Sequence, residues 1–256
     1  MELSQLPASV IIYAVSSILP AIVAFAILIV VARGRASHLW LVPGWLAAAA
    51  IAPTLAVFFG VRLLITTFSA MATSGGGIGA VSAGMWEAMQ PSLLAGYVAG
   101  ALALITVIIA IRAVINAEAS ATSSAASTII AIAVLVLAAL AVALNSHLFQ
   151  HLNAIIINVI DPHGPPMTGG VASTSQMLAN QLTRAAIVSV GSVLLLLGGV
   201  IITAVMDPKT QPTQGFGIFL TFATVLGVIG LVVNVVTIAA WCSRLQQSAI
   251  TGQVQR

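Results

Sequence analysis

The sequence predicts an all-α fold: a polytopic integral membrane protein of about six transmembrane helices. Three observations carry that expectation. Hydrophobic residues make up 60% of the 256 and charged residues only 5%, where a soluble domain carries about a quarter. Mean hydropathy is +1.16. Apolar stretches of spanning length recur along the whole chain. Eight Lys and Arg with five Asp and Glu cannot coat a water-facing surface of 26.0 kDa, so most of the surface faces lipid or other proteins. The pI of about 9.8 rests on those few charges and no basic patch exists, which excludes nucleic acid as a partner.

A spanning helix needs roughly 20 mainly apolar residues. The stretches that qualify are approximately 9–32, 39–68, 92–115, 128–160, 184–206 and 216–241. Breaks are expected at Arg33–His38, Ser69–Pro91, Asn116–Ser127, Asp161–Leu182 and Asp207–Gln214. The first helix follows MELSQLPAS, which has no positive n-region, so it reads as retained rather than cleaved. The second and fourth are longer than a bilayer core and should tilt or protrude. Asp161-Pro162-His163-Gly164-Pro165-Pro166 and Asp207-Pro208-Lys209 read as turns that end helices. The single cysteine, Cys242, excludes an internal disulfide, a cysteine metal cluster and covalently attached c-type haem.

These elements divide the chain into five parts: 1–38, a first helix and short basic loop; 39–116, a helical hairpin; 117–127, a linker; 128–206, a second hairpin; and 207–256, a sixth helix and polar tail. A shift of 91 residues lays the first hairpin on the second, matching Gly79 with Gly170, Ser82 with Ser173, Gln90 with Gln181 and Gly100 with Gly191. A tandem repeat of a helical hairpin is one reading; chance matching of apolar helices is the other. An N-out orientation places Arg33, Arg35, Arg112 and Lys209 in the cytoplasm and is favoured by the positive-inside rule.

Few ionisable residues lie at membrane depth, and each is a candidate for function. Glu87, in SAGMWEAMQPSLLAG, reads either as a proton-accepting carboxylate or as one half of an interfacial ion pair with Arg62 that pins the hairpin. Gly96 and Gly100 form a GxxxG pair, with Ser92 extending the small face by one step, and such faces let helix backbones approach closely in lipid. The face suits packing within the chain or a partner helix. His147 and His151 share a helix face at i, i+4 and are weak candidates for part of a metal site, for which a third ligand is wanting. A polar stripe facing a partner subunit accounts for them equally. GxGxxG, P-loop, GxSxG and HExxH motifs are missing, so the chain reads as a non-enzyme without a cofactor.

Residues 50–115 carry a resemblance to a known family. Ala52-Pro53-Thr54-Leu55, then Phe68-Ser69-Ala70-Met71-Ala72, then Gly84-Met85-Trp86-Glu87-Ala88-Met89 and Leu94-Ala95-Gly96 resemble successive segments of the MotA/TolQ/ExbB proton-channel family. The resemblance implies that Glu87 and Ser92 line an ion pathway, Ser92 standing where the family has a pore threonine. It also implies rings of such subunits around single helices of an acid-bearing partner, in a bacterial cytoplasmic (inner) membrane. The chain departs from the family in having no hydroxyl at Phe59–Val61, Pro91 four residues after Glu87, no large insertion after the first helix, and Leu178 at the position equivalent to Glu87 in the second hairpin. The expected function is therefore a multi-pass membrane subunit of a multi-protein complex of the proton-channel or motor type, with other membrane subunits and membrane lipids as partners. Two alternatives stand beside it: a non-catalytic structural transmembrane subunit, and a haem- or metal-binding membrane anchor using His147 and His151.

Overall fold

The computed structural model describes residues 7–33, 38–74, 78–115, 125–160, 170–206 and 213–254, with side-chain surroundings for most of them. Among these, every regular element is helical. The order is α1 (Ala8–Ala32), a 3₁₀ turn (Leu39–Leu41) leading into α2 (Val42–Ser74), α3 (Ile78–Ile115), α4 (Ala125–Ile160), α5 (Gly170–Val205) and α6 (Gln214–Val254). Each contains a stretch long and apolar enough to cross a membrane: Ala8–Ala32, Leu39–Thr67, Ala83–Ile115, Ala125–Leu144, Leu182–Val205 and Gln214–Ser243. The protein is an all-α polytopic membrane protein.

Two expected connections are far shorter than the sequence suggests. Residues 69–74 continue α2 and residues 78–91 belong to α3, so only 75–77 separate the two helices. Likewise, α5 begins at Gly170 rather than near 184. Gly and Ser read as turn formers, but a helix continues wherever a neighbouring helix lies close enough to pack on it. Gly84 illustrates this: a Cβ there would collide with the Thr67 side chain of α2, so the bare backbone is what lets the two helices run on together. Shifted by 91, the bounds of α3 fall one residue from those of α5, whereas those of α2 miss those of α4 by several residues.

Helix α2 is the axis of the bundle. It touches all five other helices, and its most apolar stretch is 61% buried against 22–39% in the others. The reason lies in its composition. Ala47, Ala48, Ala49, Ala50, Ala52 and Ala56 are all buried, and their small side chains allow neighbours on every side. Pairwise contacts fix directions. Tyr13 stacks on Phe59 with centroids 5.0 Å apart while Phe25 meets Trp45 at 6.1 Å, so α1 and α2 are antiparallel. A Cβ on Gly44 would lie 2.8 Å from Thr203 Cγ2, and one on Gly199 would lie 3.8 Å from Ala47 Cβ, which sets α5 antiparallel to α2. On α3, Gly96 faces Val235 of α6, and Val114 lies beside Gly217, again antiparallel. Helix α4 packs on α5 and α2. Helices α1, α3 and α5 start on one side of the bundle, called here the near side; α2, α4 and α6 start on the far side.

Prolines 20, 53 and 91 all lie inside helices. Each removes one backbone donor, a loss that membrane helices tolerate where side chains or neighbours compensate. At the start of α6 the Thr213 hydroxyl accepts the Phe216 N–H at 3.4 Å, an ordinary N-cap.

The closest approach of a glycine to a neighbouring backbone is at Gly60, where a Cβ would lie 2.7 Å from the Ala88 carbonyl oxygen, an atom fixed in the backbone of α3. Gly60→Ala should therefore lower stability by about 1–3 kcal/mol through overpacking. Gly230→Ala, whose Cβ meets nothing within 4 Å, should leave it unchanged or raise it by up to about 1 kcal/mol. Denaturant titration of both variants in mixed micelles measures the contrast.

Candidate functional site

The polar residues of the near-side half of α3 fall on different faces of the helix. The face toward α2 is marked by Gly84, Ala88 and Ser92, which oppose Thr67 and Gly60. At about 100° per residue, Glu87 sits roughly 140° around the helix from Ser92 and about 7.5 Å before it along the axis. Glu87 is half-buried and Ser92 is 2% exposed. Gln90 is 1% exposed and three residues after Glu87, so the two are neighbours on one face. Its amide nitrogen donates to the Trp86 carbonyl at 3.4 Å, while its oxygen Oε1 has no hydrogen-bond partner. Buried Pro91 follows and has no N–H to give the Glu87 carbonyl.

Ser92 departs from a pattern that the rest of the bundle follows. The buried hydroxyls of Ser17, Thr54, Thr106, Ser192, Thr203 and Thr224 each donate to the carbonyl four residues earlier, at 2.7–2.9 Å. Thr54 does so one residue after Pro53. Ser92 likewise follows a proline, Pro91, yet its hydroxyl has no partner. The carbonyl it would use belongs to Ala88 and is pressed against Gly60 instead. An unpaired hydroxyl at membrane depth carries a desolvation cost that a paired one does not.

The expected ion pair does not form: among the described residues none joins Arg62 to Glu87. Depth along the axis suits the pair, but direction around the helix does not. Arg62 is exposed and lies roughly 200° around α2 from Gly60, on the side away from α3. Five residues from the end of its span at Thr67, its long stem can carry the guanidinium toward the headgroups. Of the GxxxG pair, Gly96 is buried with a Cβ position 2.7 Å from Val235 Cγ2 of α6 in the same chain; a Cβ on Gly100 would meet nothing within 4 Å. His147 is exposed on α4, and the His151 side chain lies outside the described residues. No group of three His, Cys, Asp or Glu occurs among the described residues.

Comparison with protein-family models, curated proteins and solved structures finds no match to this chain. The site is therefore argued from its own residues. Reading the sequence singled out Glu87 and Ser92 but passed over Gln90 as a functional group. Its signal was available: an amide in an apolar helix, one turn after the only carboxylate of that helix.

If Ser92 is held dry and unpaired, Ser92→Ala should leave unfolding free energy unchanged or raise it by up to about 1 kcal/mol. Thr203→Val, which removes a hydrogen bond within α5 at nearly constant shape, should lower it by about 0.5–1.5 kcal/mol. The same micelle titration reads both signs.

Proposed function

We propose that this chain is a membrane subunit of a proton-conducting assembly, in which the near-side half of α3 takes up and passes on the proton. The observation that carries the reading is the unpartnered Ser92 hydroxyl, buried in a helix that also holds the half-buried Glu87 and the unpartnered Gln90 carbonyl oxygen. Glu87 is the proton acceptor in this scheme. When protonated, its carboxyl becomes a donor and Gln90 Oε1 is the nearest acceptor by sequence, one turn along. Ser92 faces α2 and its hydroxyl both accepts and donates, so the path extends through it toward α2. The resemblance of residues 50–115 to the MotA/TolQ/ExbB proton channels supports the same assignment of Glu87 and Ser92, and supports a bacterial inner membrane and a single-helix partner bearing the next carboxylate.

One observation favours a second reading, a non-catalytic structural subunit. Helix α2 is surrounded by the other five helices of its own chain, and most buried hydroxyls are satisfied within their own helix. Such a bundle serves as a scaffold without moving an ion.

Proton flux separates the two. The chain, purified together with its native membrane partners and reconstituted in liposomes, should acidify a lumenal dye under an imposed potential. Glu87→Gln should bring flux to the level of empty liposomes, and Gln90→Leu or Ser92→Ala should reduce it by about tenfold or less, the range of one lost polar contact. Equal flux in wild type and Glu87→Gln would remove Glu87 from the mechanism and leave the structural reading.

A further inference from the structure

A groove of about 450 Å³ opens between α4 and α6, with Leu46 and Ala50 of α2 as its floor. Every residue that lines it is apolar, so it has nothing to hold water with. It exists because small residues face it from both walls, Ala139 and Ala143 on α4 and Gly227 and Gly230 on α6. Its rim is exposed at Val136 and Leu226, and there it is continuous with the lipid-facing surface of the bundle.

Three features select the occupant. The first is length. The α4 wall runs from residue 132 to residue 143, about 17 Å at 1.5 Å per residue. That is close to the hydrocarbon depth of one leaflet, about 15 Å. The second is lining. Ala and Gly on the walls leave a recess with no hydrogen-bonding side chain, a surface that a hydrocarbon chain packs against. The third is access. At the far-side end the lining stops short of the cluster of Trp40, Phe216, Ala131 and Met206, while the rim residues Val136 and Leu226 are exposed to lipid. Entry is therefore sideways, from the bilayer.

We propose that this groove is a binding site for one acyl chain of a phospholipid from the far-side leaflet, inserted between α4 and α6. A flexible hydrocarbon of leaflet length fits this lining and this opening. It would restore the van der Waals contacts that an unfilled space denies its lining. The assignment stands independently of proton conduction.

Photo-crosslinking in liposomes tests it, with a phosphatidylcholine carrying a diazirine at mid-chain of one acyl tail. Adducts should concentrate on residues 132–143 and 219–231, above the level on the exposed α1 residues Ile22 and Ile29. Gly230→Phe, placed in open space, should reduce groove adducts to that α1 level. Ala139→Phe, filling from the opposite wall, should do the same, so the result does not hang on one variant's folding. Adducts spread evenly over α1, α4 and α6, adducts unchanged in both variants, or chain-to-chain crosslinks through this face in place of lipid adducts would each overturn the proposal.

Discussion

Inside lipid, apolar contact between helices gains little over contact with acyl chains, so this bundle depends on how closely its helices can approach α2. The run of alanines from Ala47 to Ala52, interrupted by Ile51, gives α2 a slim outline through the membrane. Gly44 and Gly60 go further, bringing Thr203 and the Ala88 carbonyl within the space a side chain would need. These approaches place α5 and α3 on α2. Helix α6 is then held against α3 by a corresponding device at Gly96. Large side chains fill the flanks, as where Phe25 meets Trp45.

The close approach has a chemical consequence. Gly60 occupies the surroundings of the Ala88 carbonyl, and the Ser92 hydroxyl goes without the bond that Thr54 makes in the equivalent position. The close approach of Gly60 to the α3 backbone and the unpaired Ser92 hydroxyl are thus two sides of one arrangement. Native structures leave few buried polar atoms unpaired, and those that remain call for an explanation. The proton transfer proposed for α3 would supply one here, and would link packing on α2 to the roles proposed for Glu87, Gln90 and Ser92.

Much of the fold was legible because hydrophobicity and spanning length are properties of single segments. Six apolar stretches gave six helices. The ends were less legible. Residues 69–91 hold Gly, Ser and Pro in a pattern that reads as a long connection, yet most of them are helical, because the pairing of Gly84 with Thr67 is a contact between segments that no local propensity reports. The same limit applies to the Arg62–Glu87 pair. Sequence placed both near one end of a hairpin, but whether two side chains on adjacent helices meet depends on rotation about each axis. That rotation is set by the Gly60 and Ala88 stripe, and it turns Arg62 away. Gly96 was recognisable as a packing residue, whereas its neighbour Val235 lies more than a hundred residues away in sequence. Ser92 and Glu87 were visible as polar residues in an apolar helix; that Ser92 lacks a partner is a fact of packing alone.

The position of α2 at the centre is the claim on which the rest stands, and a disulfide tests it directly. A Cβ on Gly199 would lie 3.8 Å from Ala47 Cβ, the mean separation across a disulfide. In a Cys242→Ala background, the pair Ala47→Cys and Gly199→Cys should form an intramolecular bond when oxidised in native membranes, read as the loss of both free thiols to maleimide labelling and a shift in gel mobility that reductant reverses. Two thiols that remain free and titrate with a membrane-permeant maleimide after oxidation would contradict the arrangement of α2 and α5 described here.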